Sequence, residues 1–332
     1  MGGRLGRLAG GLCGVAMLLL AACQSNPVAK GPELTTQCPA VPVAAQAASA
    51  SMAASAPEVA PVAIVPPPRP MRPPRLGLAL GGGAARGFAH IGVIEVLEEN
   101  GIRPDVVTGT SAGSLVAAMY ASGKSGPQLA TLAVSMDESA ITDWSFPGRG
   151  LIRGEALASY VRQSTGNLPL ERMKIPLGIV ATDLDSGKGI VFRRGDVGTA
   201  VRASSAVPAV FQPVRIGTHE YVDGGLSSPV PVRAAREMGA DVVIAVDISQ
   251  APEGASTGDA LHMLLQTFSI MGRSINELEL KQADVVVRPR LPGVAGTDFS
   301  VREKNIQAGR QAALALLPSI KARLATQVPV VQ

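Results

Sequence analysis

The chain has three cysteines in 332 residues, and none beyond Cys38. Residues 76–332 therefore have neither a disulfide framework nor a cysteine-ligated metal site. Histidine is equally scarce, with three in all, at positions 90, 219 and 262. That limits the arrangements available to a histidine-based triad. Net charge is also missing where a core can form: residues 76–332 carry 24 Lys plus Arg against 24 Asp plus Glu. The formal charge of +4 thus comes from residues 1–75. A charge-balanced domain has no electrostatic footprint for nucleic acid, so no nucleic-acid partner is expected. No internal repeat is evident.

The first segment reads as an address. Arg4 and Arg7 precede an apolar stretch, Leu8 to Ala22, which is too short for a comfortable membrane span. It ends in Leu20-Ala21-Ala22-Cys23, which resembles the bacterial lipoprotein cleavage box. The resemblance implies a signal peptide at 1–22, cleavage before Cys23, lipidation of Cys23 and export. Gln24 after the cysteine favours the outer membrane, facing the periplasm. A plain secretory signal with an incidental Cys23 is the alternative. Residues 23–75 then comprise the lipidated cysteine and an Ala/Pro-rich disordered linker, since 24–75 hold twelve of the 26 prolines. Such a composition cannot bury enough apolar surface to offset its ordering entropy. Its expected role is a tether to a membrane through the N-terminal lipid.

Residues 76–332 are expected to form one folded domain with a sizeable core. Apolar, β-rich runs at 76–80, 105–108, 176–182, 189–193, 213–216, 219–222, 241–247 and 284–288 alternate with helical patterns. The helices are expected near 86–99, 112–122, 126–136, 154–165, 197–204, 231–238, 258–282 and 300–324. This alternation predicts an α/β fold with a mostly parallel central sheet and helices on both faces. Asn100-Gly101 marks the stop of the first helix.

Two glycine-rich turns carry the chemistry. Gly109-Thr110-Ser111-Ala112-Gly113 follows a β-branched run and precedes a good helix former. A serine on a sharp strand-to-helix turn has an exposed hydroxyl, uncrowded by the flanking glycines. Taken alone, Ser111 is equally an ordinary N-cap. The second turn is Gly81-Gly82-Gly83-Ala84-Ala85-Arg86-Gly87, directly after Leu76–Leu80. Its glycines let backbone N–H groups face an anion, as acyl transfer requires. No Gly-Lys-Ser/Thr closes it as a P-loop, and Arg86 occupies the last position of a failed Gly-x-Gly-x-x-Gly match.

Together the two turns resemble those of the patatin-like phospholipases. That family uses a serine–aspartate dyad whose aspartate lies in an Asp-Gly-Gly or Asp-Gly-Ala turn. The matching turn here is Asp223-Gly224-Gly225. Ala203-Ser204-Ser205-Ala206-Val207-Pro208 and Ala181-Thr182-Asp183-Leu184 also look like family segments, and the likeness spans roughly Leu76 to Pro289. The resemblance implies a three-layer sandwich and a lipid acyl hydrolase of the phospholipase A or lysophospholipase type, with a lipid or acyl-ester substrate and no cofactor or metal. Ser111 would be the nucleophile and Asp223 its base. The N–H groups of Gly82, Gly83 and Ala84 would hold the oxyanion. Arg86 would brace the glycine loop or, alternatively, bind a phosphate. Ala84 stands where many bacterial members have a fourth glycine. Burial beside an apolar strand should raise the Asp223 pKa toward the working pH.

Other readings remain open from sequence. Asp223 by itself is an ordinary Asp-Gly turn residue. Ser111, Asp247 and His262 follow the chain order of an α/β-hydrolase triad. Asp183 and Asp185 read as a turn or as a metal or acid/base pair. Met136, Trp144, Phe146 and Leu151 read as an acyl channel or as core. A tethered scaffold without activity is the non-enzyme alternative.

Overall fold

The computed structural model describes residues 70–137, 143–144, 149–249, 258–291 and 299–330. The signal segment, Cys23, most of the linker and Phe146 lie outside the described residues. In chain order the strands are β1 (Met71–Arg72), β2 (Leu76–Leu80), β3 (Val106–Thr110), β4 (Gly150–Ile152), β5 (Leu177–Asp183), β6 (Gly189–Phe192), β7 (Ala209–Phe211), β8 (Val214–Ile216), β9 (His219–Asp223), β10 (Val242–Val246), β11 (Val285–Val287) and β12 (Val328–Pro329). The helices are α1 (Phe88–Glu99), α2 (Ala112–Ala121), α3 (Gly126–Ser135), α4 (Glu155–Ser164), α5 (Val197–Ser204), α6 (Val232–Glu237), α7 (Ala260–Glu279) and α8 (Arg302–Ala325).

The central sheet has eight strands in the order β11-β10-β2-β3-β5-β9-β8, with β6 also paired to β5. From β11 to β5 every pairing is parallel, and β6, β9 and β8 add an antiparallel edge. Every residue of β2, β3, β5 and β10 is buried. Their continuous apolar character is what a parallel sheet covered on both faces requires. The mostly parallel sheet is therefore as expected from sequence.

Two helices, α1 and α8, are locked to each other by small residues. A Cβ on Gly92 of α1 would lie 1.9 Å from the Ile306 carbonyl oxygen, and one on Gly309 of α8 would lie 1.9 Å from that of Ala89. The two backbones meet because neither position has a side chain. Asn305 of α8 donates to the Ala85 carbonyl at 3.2 Å, which ties this helix to the glycine turn after β2. Asn100 caps α1 and Gly101 follows at φ +70°, so the expected helix stop is formed.

Three short pairings depart from the sequence reading. The linker expected through residue 75 gives way earlier: β1 pairs with β12 near the C-terminus, and Arg72 makes two bonds to Asp241 at 2.6 and 3.1 Å. β4 and β7 form a separate parallel ribbon. Segments of two or three residues are too short to show a period of two. The third is an isolated bridge, Trp144 to Ile152.

Candidate active site

The glycine turn after β2 and the serine turn after β3 leave the C-terminal ends of adjacent parallel strands. Ser111 sits between β3 and α2 with φ 52° and ψ −124°. That is an unfavourable backbone for a residue with a Cβ, and its surroundings must hold it there. The flanking glycines allow this. A Cβ on Gly113 would fall 2.1 Å from the Leu80 carbonyl oxygen, and one on Gly109 would fall 2.5 Å from the Gly113 oxygen. Gly87 serves the neighbouring turn in the same way, since its Cβ would meet that of Ala112 at 2.9 Å. The Ser111 amide donates to Ser204 Oγ at 2.9 Å, and Ser204 Oγ donates to the Val180 carbonyl at 2.5 Å.

Asp223 ends β9, two strands from β3, with β5 between them. It stands opposite Ala181, as Thr110 stands opposite Val180, so the two strand ends align across β5. Ser111 Oγ donates to Asp223 Oδ2 at 2.7 Å, and Gly225 N–H donates to Oδ1 at 2.7 Å. Gly224 turns the chain tightly under this carboxylate, since its Cβ would lie 2.2 Å from the Val180 oxygen. Thr182 Oγ1 holds the Asp223 carbonyl at 2.9 Å. Burial pushes the Asp223 pKa up to about 6, against the opposing pull of the Ser111 and Gly225 hydrogen bonds. The direction agrees with expectation.

The glycine turn requires one correction. Gly81 N–H donates to Val246 O at 3.0 Å, and Gly82 N–H donates to Pro229 O at 2.9 Å. The Gly82 donor, expected to hold an oxyanion, is already engaged because the Ser228–Pro231 stretch runs alongside the end of β2. What Gly82 provides is space: its Cβ would sit 3.2 Å from that of Ser111. Among the described residues, the N–H groups of Gly83 and Ala84 meet no protein acceptor. Ala84 has φ 49° and opens the short 3-10 turn over Ala84–Gly87. Arg86 Nε donates to the Ile248 carbonyl at 2.9 Å from a half-buried position, and burial lowers its pKa. The contact joins the glycine turn to the segment after β10.

The histidine triad does not assemble. Asp247 Oδ1 accepts from Ser249, and its Oδ2 accepts from Arg288 Nε at 3.1 Å. His262 Nδ1 instead pairs with Asp259, 2.7 Å away in the exposed first turn of α7. The Ser111–Asp247–His262 triad is therefore not assembled in this structure. Asp183 accepts from Ser186 N and Oγ at 2.8 and 2.9 Å, the local turn bonding expected. Sequence reasoning placed no histidine beside Asp183 and Asp185; the β5–β9 pairing puts one there, with His219 Nδ1 2.8 Å from Asp183 Oδ2. Met136 packs against the core, whereas Trp144 and Leu151 are exposed.

Ser204 and Thr182 had no assigned role in the sequence reading. Both fall in segments whose wording resembled the family, and that was the only signal they gave.

A family model described as Patatin-like phospholipase matches residues 78–236. An uncharacterised NTE family protein of Mycobacterium tuberculosis is 35% identical over 208 residues, which cover 62% of this chain and 58% of that protein. Patatin-like phospholipase domain-containing protein 6 of Mus musculus is 34% identical over 197 residues, covering 56% of this chain and 14% of that protein. The chain thus spans about half the length of the curated relatives it matches first, 58% and 46%. Among solved structures, VipD from Legionella pneumophila has the same fold at a TM-score of 0.51 and 16% identity, covering 75% of this chain and 68% of that one.

Proposed function

The chain belongs to the patatin-like phospholipase family, and we propose that it is a serine lipid acyl hydrolase of the phospholipase A or lysophospholipase type. The observation that carries this reading is the 2.7 Å hydrogen bond from Ser111 Oγ to Asp223 Oδ2, on a turn whose backbone is strained at the serine. Ser111 Oγ attacks the ester carbonyl and its proton passes to Asp223 Oδ2. Negative charge develops on the carbonyl oxygen and is met by the N–H groups of Gly83 and Ala84. One such donor typically contributes about 2.7–4 kcal/mol to lowering the barrier. Collapse expels the alcohol, which takes the proton from Asp223. Water then attacks the acyl carbon as Asp223 takes its proton; collapse breaks the bond to Ser111 Oγ and releases the carboxylic acid, and Asp223 returns the proton to Ser111 Oγ.

A carboxylate at the usual pKa is a weak base for a serine hydroxyl; one raised to about 6 is better matched to neutral pH. Arg86 ties the loop to the segment after β10, through the Ile248 carbonyl.

The surface near the dyad supports a lipid over a small soluble ester. α7 crosses beside the Asp223 turn, where Gly272 lies against Pro229 and the Gly225 carbonyl. It leaves Met263, Leu264, Ile270, Met271 and Leu278 exposed, a clustering of apolar side chains that suits an acyl-rich interface. Among the described residues no helix is long and apolar enough to cross a membrane. The experiment is hydrolysis of a panel of phospholipid, lysophospholipid and triacylglycerol by the wild-type chain and Ser111→Ala. Release of fatty acid from a phospholipid or lysophospholipid, abolished in Ser111→Ala, supports the reading; release from none of them contradicts it.

We further propose, on the Leu20-Ala21-Ala22-Cys23 box, that Cys23 carries the lipid anchor of an exported, envelope-bound lipoprotein. Palmitate labelling that is lost in Cys23→Ser tests this; labelling that persists rules out Cys23 as the anchor.

A further inference from the structure

His90 lies in the first turn of α1 and takes no part in the chemistry described above. Its ring is fully buried. Nε2 is 2.8 Å from the Gly81 carbonyl oxygen. A carbonyl only accepts, so Nε2 carries the proton. Nδ1 is buried with no hydrogen-bond partner and holds the lone pair. Burial pushes the ring pKa down to about 4, so the ring is neutral at physiological pH.

An unpartnered buried nitrogen is expensive, at about 1–3 kcal/mol. An apolar residue of similar size would avoid that penalty, so what the ring provides must come from its other nitrogen. The Gly81 carbonyl and the Gly82 N–H are the two ends of one peptide unit. The carbonyl accepts from His90, and the N–H donates to Pro229 O at 2.9 Å. Held at both ends, this plane cannot rotate. Its orientation sets the direction in which the chain enters Gly83 and Ala84. Glycine neighbours would otherwise leave that direction loosely defined, because they restrict φ and ψ so little.

We infer that His90 is a positioning residue for the oxyanion loop: by holding the Gly81 carbonyl it fixes the peptide plane that aims the Gly83 and Ala84 N–H groups. The inference rests on the reading of those two groups as the oxyanion donors. His90 touches no substrate atom, and its effect passes through Gly81.

The test compares His90→Gln with His90→Met in the full chain. The two replacements are close in size, but only glutamine keeps a donor near the Nε2 position. Measured are kcat and KM on a short-chain soluble ester, and Tm. The expected result is a kcat for His90→Met about ten- to a hundredfold below wild type, with KM little changed, Tm equal to or above that of His90→Gln, and kcat largely recovered in His90→Gln. Equal kcat for the two variants would overturn the inference, as would a loss in His90→Met that follows a fall in Tm and is not recovered by glutamine. His90→Phe replaces His90→Met if the latter does not fold, with the same two outcomes. A wild-type chain that hydrolyses no ester would overturn the hydrolase reading and this inference with it; an active wild type with indistinguishable variants overturns this inference alone.

Discussion

Ser204 Oγ accepts the Ser111 amide proton at 2.9 Å while donating its own proton to the Val180 carbonyl at 2.5 Å. A fully buried hydroxyl thus ties the strained turn to the neighbouring strand β5. The hydrogen bond gives the Ser111 N–H an acceptor at the point where strand passes into helix.

Removing that hydroxyl should loosen the nucleophile without touching it. Ser204→Ala leaves the half-buried Ser111 amide and the buried Val180 carbonyl without this partner, at a cost of about 1–3 kcal/mol. The expected outcome is a lower Tm together with a kcat about tenfold or more below wild type. Thermal melts and ester kinetics on the same preparation check it. Unchanged kcat would mean that the turn holds its shape unaided.

The raised Asp223 pKa predicts the acid limb of the rate profile. The base must be ionised to accept the Ser111 proton. With a pKa of about 6, activity on a soluble ester should be half-maximal near pH 6 and fall to about one tenth by pH 5. A profile flat down to pH 4 would contradict this environment for Asp223.

The same shift bears on stability, with a definite sign. The folded-state pKa of Asp223 lies above the ordinary carboxylate value of 3.8. Its contribution to stability is therefore fully present below pH 3.8 and lost as pH rises through about 6. The loss amounts to about 3 kcal/mol. Asp223→Asn can still accept from Gly225 and donate to Ser111 Oγ. It should be inactive, yet melt several degrees above wild type at pH 8, with the gap closing near pH 4. Melting curves across that range decide it.

His262 offers a control. It caps α7 with Asp259 and lies outside the dyad. His262→Ala should keep at least half of the wild-type kcat, whereas a triad histidine would cost about a thousandfold or more.

The contact between α1 and α8 predicts a structural failure. Gly309→Ala places a methyl 1.9 Å from the Ala89 carbonyl position, so the helices must separate. Overpacking of this kind costs about 1–3 kcal/mol. A fall in Tm with the dyad geometry intact is expected, checked by melting and by fluorophosphonate labelling below the transition.

The α/β class could be read from sequence because fully buried strands such as Val242–Val246 are continuous apolar runs and the helices between them begin and stop at recognisable residues. Ser111 and Asp223 could be proposed because each lies in a glycine turn whose wording resembles a family. The Gly82 donor could not be judged, since whether an N–H is free depends on Pro229, 147 residues further on. Ser204 gave no signal of its role for the same reason: its partners, Ser111 and Val180, come to it through the alignment of β3, β5 and α5. His219 beside Asp183 likewise depends on the antiparallel register of β5 and β9. Local wording identifies the turns, and long-range register decides which of their atoms are available.

The central claim is an activated Ser111 served by Asp223. Intact mass of the full chain after exposure to a serine-reactive fluorophosphonate tests it most directly, with wild type, Ser111→Ala and Asp223→Asn side by side. The account predicts one adduct on wild type, none on Ser111→Ala and slow labelling of Asp223→Asn. Absence of an adduct on folded wild type, or equal labelling of wild type and Asp223→Asn, would contradict it.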